Sequence, residues 1–94
     1  MDDIVTTFES RGLKRGGILL LKPDDAIELV EAARQQRKPI LGVDAFTVTE
    51  TSTQPSMEHS ADYSDQSKSI DTWSAARHHI EKLRDSGFLF EVVV

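Results

Sequence analysis

Residues 18–46 read "ILLLKPDDAIELVEAARQQRKPILGVDAF", and this stretch decides the fold. "ILLLK" (18–22) is a continuous apolar run, the pattern of a strand covered on both faces. Pro23 then stands where a helix accepts its first residue, with Asp24 and Asp25 in the electropositive first turn. Ala26, Leu29, Val30 and Ala33 recur at helical spacing, and Arg34, Arg37 and Lys38 crowd the electronegative end. "PILGVDAFTVTE" (39–50) resumes as a strand. A strand–helix–strand unit over 18–46 predicts a right-handed parallel crossover.

Working outward, Ile4, Val5 and Phe8 can share one side of a short N-terminal helix, with Gly12 as a left-handed stop and Leu13 behind it. "KRGG" (14–17) reads as a turn. A second main helix is expected to start near Ser67 or Ser69, with Asp71 in its first turn. Its buried stripe is Trp73, Ala76, Ile80 and Leu83, flanked by Arg77 and Arg84, and Gly87 ends it. "FLFEVVV" (88–94) is a strongly β-prone last strand that joins the same sheet. The expectation is one α/β domain over 1–94, with a small mixed or parallel sheet of about three strands, two main helices and a short N-terminal helix.

Between strand and helix, residues 50–67 read as a mobile acidic loop. From Glu50 to Gln66 it holds four acids (Glu50, Glu58, Asp62, Asp65) and no Lys or Arg, and offers only Met57, Ala61 and Tyr63 for burial. Such a loop is either a solvated connection or a surface that presents carboxylates to a basic partner, with Tyr63 as an aromatic anchor.

Asp44 is the anomaly of the central strand. Unbroken alternation puts it on one face with Ile40, Phe46 and Val48, the side expected to be buried. The preferred explanation is a bulge or bend permitted by Gly42 and Asp44; partner contact comes second and catalysis third.

Sixteen acidic and eleven basic residues give a net charge of −5, which disfavours nucleic acid and anionic membrane and favours a basic protein surface. Cysteine is absent, which removes disulfides, thiol catalysis and thiolate metal sites. "MDDIVTTFES" lacks the apolar core of a signal peptide, and no apolar run is long enough to cross a bilayer, so the expected compartment is the cytoplasm. His78 and His79 are adjacent and do not have zinc spacing, and no G-x-S-x-G turn, G-x-G-x-x-G or phosphate loop occurs. No catalytic residue, metal or cofactor is expected.

The run "DDIVTTFESRGLKRGGILLLKPDDAIELVEAARQQRKPILGVDAF" (2–46) resembles the immunity protein 40 family, predicted immunity proteins of bacterial polymorphic-toxin systems. That family shows a short helix, a turn, a strand, a helix with a K-x-D-type start and a "P-I-L-G-G-D-V-Y"-like segment. Here the segment is Pro39 to Phe46, with Val43 in place of the second glycine and Phe46 in place of the tyrosine. The second half matches by layout only. The resemblance implies a protein that binds and blocks a cognate toxin domain. It transfers no mapped interface; from the acidic loop itself, Glu58, Asp62, Tyr63 and Asp65 are the expected partner-binding residues, with Asp44 at their edge. Two other classes stay open: a homodimer pairing through "FLFEVVV" as an edge strand, and a small-ligand or enzyme domain using Asp44 with His59 or His79.

Overall fold

The structure, a computed structural model, describes residues 4–63 and 71–94. In chain order it contains α1 (Ile4–Thr7), β1 (Leu13–Arg15), β2 (Ile18–Leu20), α2 (Pro23–Gln35), β3 (Gly42–Val48), β4 (Thr53–Asp62), α3 (Thr72–Lys82) and β5 (Leu89–Val93). Single 3-10 turns at Glu9–Arg11 and Arg84–Ser86 follow α1 and α3. The expected mixed α/β class holds, but the sheets are antiparallel.

The main sheet has the order β4-β3-β5, and β1 and β2 form a separate hairpin. That hairpin reaches β5 through one two-way bridge, Leu21 N–H to Phe90 C=O and back, each 2.8 Å. The expected parallel crossover from β2 to β3 is therefore split. Both strands are antiparallel to β5, so they run the same way with β5 inserted between them. "FLFEVVV" can occupy that interior position because it is apolar on both faces, apart from Glu91.

α2 follows its sequence signals: Pro23 opens it, and Asp24 and Asp25 occupy the first turn. Its exit is less expected. Arg37 N–H donates to Arg34 C=O and Lys38 N–H to Ala33 C=O, which completes a Schellman motif. The residue in the left-handed position is Arg37 (φ 57°), where glycine is usual. α3 starts on Asp71, whose carboxylate accepts the Ser74 N–H at 3.0 Å. Asp71, expected in the first turn, is instead the cap; the expected caps, Ser67 and Ser69, lie outside the described residues. Trp73 is half-buried and donates its indole N–H to Lys38 C=O at 2.7 Å, while buried Thr72 accepts the Ile40 N–H at 3.1 Å. The start of α3 thus grips the segment that leads into β3.

Gly12 is extended (φ −127°), so it is not the left-handed stop expected of it. Its function is clearance, since a Cβ there would stand 2.6 Å from the Leu20 carbonyl oxygen. Of "KRGG", only Gly16 and Gly17, both with positive φ, form the tight turn of the β1–β2 hairpin; Lys14 and Arg15 belong to β1 and pair with Leu19 and Ile18.

The largest correction concerns 50–67. Residues 53–62 form β4, paired antiparallel to β3 through a tight turn in which Thr49 and Ser52 are bonded by backbone and side chain. Of the 50–67 span, only 64–67 lie outside the described residues. The core lies between the helices and one sheet face. It is built from Ile4 and Phe8, Leu29 and Val30 of α2, Val43 and Ala45 of β3, Ala76 and Ile80 of α3, and Phe90 and Val92 of β5.

Candidate functional site

β3 pairs with β5 residue for residue from Gly42 to Phe46, so the expected bulge in β3 does not exist. Alternation is intact. Val43 and Ala45 point into the core at 0% exposure, and Asp44 points the other way with Phe46. Ile40 is also buried, but it precedes the strand and does not share Asp44's face. The face assigned to Asp44 from sequence is therefore not the one that meets the main core, although Phe46 on it is buried, at 7% exposure.

The irregularity sits across the ladder, in β4. Val43 pairs with Ala61 and Ala45 with Ser56, so four β4 residues, 57–60, oppose a single β3 residue, Asp44. This large bulge is fastened from within. Ser60 Oγ donates to Ser56 C=O (2.8 Å) and accepts the N–H of buried Ala45 (3.1 Å). Ser56 Oγ and His59 Nδ1 are hydrogen-bonded at 2.8 Å, and His79 Nε2 on α3 donates to His59 C=O at 2.6 Å. The His59 ring also rests against Phe88, 4.8 Å between centroids. Because Ser56 and His59 are held inward, Met57 and Glu58 are turned out, and Met57 is 83% exposed.

On the outward face, Asp44 stands directly opposite Glu91 of β5. Like charges placed this way oppose each other. Partial burial, then the charge of Asp44, then a hydrogen bond with it push the Glu91 carboxyl above the usual glutamate range. The β1–β2 hairpin covers the far end of this face, where Arg15 donates to Thr53 Oγ1 (3.3 Å) and to Thr49 C=O (3.2 Å). Among the described residues, nothing covers the near end. There a trough of about 470 Å³ runs between Leu41, Met57, Ala61 and Val93, with Asp44 and Asp62 at its margin.

The expected contact residues therefore separate. Asp44 and Asp62 line the trough and exposed Glu58 projects from the bulge beside it. Tyr63 does not join them: it is 9% exposed and packs in the core, where burial raises its phenol above the ordinary range, so it cannot be a surface anchor in this fold. Asp65 lies outside the described residues. Glu91, Leu41, Met57 and Val93 were missed as a group. The lone charge in "FLFEVVV" is the one local signal that could have pointed to Glu91; the rest depends on strand register.

Neither trough nor neighbouring cavity that Asp44 lines includes a histidine, and the bonds of His59 and His79 serve the bulge. Among the described residues no group of three or more His, Asp or Glu is placed to hold a metal ion, and no helix is long and apolar enough to cross a membrane. Comparison of the chain with protein-family models, with curated proteins and with solved structures finds no match.

Proposed function

We propose that this chain is an immunity protein, a non-catalytic cytoplasmic module that neutralises a cognate bacterial toxin domain by occluding it. Two supports are independent of each other. One is the resemblance of residues 2–46 to the immunity protein 40 family; the other is the uncovered sheet face. The observation that carries the reading is the Asp44–Glu91 pair near exposed Met57: Asp44 lines the apolar trough that Met57 walls, and Glu91 stands opposite Asp44 on the neighbouring strand. A monomer gains nothing from either feature, whereas a basic partner would cover both. Acidic net charge would also speed encounter with a basic toxin.

The test is to identify whether a large secreted protein with a variable C-terminal domain is encoded immediately upstream of this gene and to co-express that C-terminal domain with this chain, scored for growth. Rescue by this chain, and not by a non-cognate immunity protein, is the expected result. Growth arrest despite soluble expression of both proteins would overturn the proposal. Within that assay, replacing Glu58 and Asp62 together by alanine should slow association and flatten its dependence on salt.

A further inference from the structure

We propose that the trough between β3, the β4 bulge and the end of β5 docks an extended segment of a basic protein partner, lodging an apolar side chain against Leu41, Met57 and Val93 and an adjoining arginine over Asp44 and Glu91. This rests on the toxin-binding reading for the partner's identity, but not for its test.

The argument for an apolar contact is exposure without cover among the described residues. Met57 is 83% and Leu41 36% exposed, and Val93 and Ala61 complete the same concave wall. The trough is shaped in advance, because the bulge that presents Met57 is tied to Ala45, Ser56 and His79. A preformed wall lowers the ordering cost of binding.

The argument for arginine is charge complementarity. All seven ion pairs among the described residues join groups of the helices, β1 and the 3-10 turns, and none uses Asp44 or Glu91. Arg15 lines a cavity together with Asp44 and Glu91, but its guanidinium donates to Thr53 Oγ1 and Thr49 C=O and forms no ion pair with either acid, and Lys14 pairs with Glu9 at 2.9 Å. A cation from outside is the missing complement. Arginine suits it better than lysine, because a planar fork of N–H donors can bridge two adjacent carboxyl groups. A second copy of this chain is the poorer occupant, since it would set one acidic face against another. Nucleic acid is repelled for the same reason.

The probe is acetyl-leucyl-arginyl-leucine amide, titrated into the ¹⁵N-labelled full chain, with acetyl-leucyl-glutamyl-leucine amide as control. The arginyl peptide should shift the amides of 41–45, 57–62 and 91–93. The glutamyl peptide should bind about tenfold more weakly, the size expected for loss of one charge-assisted pair. The double variant Asp44→Asn/Glu91→Gln should lose that preference, and Met57→Ser, at an exposed position, should weaken both peptides alike. Equal binding of the two peptides, shifts on another surface, no shifts at all, or an unaltered preference in the double variant would each overturn the proposal. Growth rescue without an arginine preference would retire the groove and keep the toxin reading. An arginine preference without rescue would do the reverse.

Discussion

The helical layer and the outward sheet face treat the same kind of side chain in opposite ways. On the helices, Glu31 accepts from both Arg34 and Arg77, and Arg77 also donates to Glu81 at 2.7 Å. Arg11 binds Asp25 and Glu28 while lying over the Phe8 ring, and Arg84 binds Asp24. Hydrogen bonds from Arg34 hold the Glu31 carboxyl below the usual range, and those from Arg77 do the same for Glu81. On the sheet, Glu91 moves the other way, through burial and the charge of Asp44. The helical layer pairs most of its carboxylates with its own arginines, whereas the sheet face sets two carboxyl groups against each other. Charges arranged against folding are best explained by a role outside folding.

The sharpest way to break this contrast is at the bulge that shapes the sheet face. Ser60→Ala removes the acceptor of the buried Ala45 N–H, and should cost about 1–3 kcal/mol in urea unfolding. A near-zero cost would mean that the bulge is not held as described. On the helical side, Arg37→Gly should stabilise by about 1 kcal/mol, by relieving a left-handed residue that carries a side chain.

A smaller gain, a few tenths to about 1 kcal/mol, is expected for Glu91→Gln at neutral pH, as the like-charge pair is dissolved. The pH profile should separate the two regions. Glu91 is raised in the fold, so its contribution is full at pH below the ordinary glutamate value and is lost as pH rises through its higher folded value. Glu31 is lowered, so its contribution is present above the ordinary value and is lost as pH falls through its lower folded one. Glu91→Gln should therefore flatten the loss on the rising side and leave the acid limb intact, as read by thermal melts from pH 3 to 8. The smallest effect should come from Arg77→Met, since exposed ion pairs contribute little, and it should move the melting midpoint less than Ser60→Ala does.

The sequence disclosed α2 well because propensity, periodicity and terminal charges agree there, and it disclosed β5 because six apolar, β-prone residues in a run of seven leave few alternatives. β4 was illegible for a physical reason. "TQPSMEHSAD" has no alternation of its own, since its pairing is imposed by β3 and the bulge at 57–60 breaks its parity. The same bulge hid the site. Asp44 could be picked out as odd, and Glu58 and Asp62 as exposed acids, but only register puts Glu91 opposite Asp44, and only tertiary hydrogen bonds turn Met57 outward. Tyr63 was misjudged because a tyrosine among acids in an apparent loop looks exposed, whereas the end of β4 carries it to the core face.

The measurement that tests the central claim most directly pairs two readouts on one preparation of Asp44→Asn/Glu91→Gln. Its melting midpoint and its affinity for the arginyl peptide should move in opposite directions, stability up and binding down. A variant that is less stable than the parent, or that binds the arginyl peptide as tightly, would show that the Asp44–Glu91 pair serves the fold and that the partner docks elsewhere.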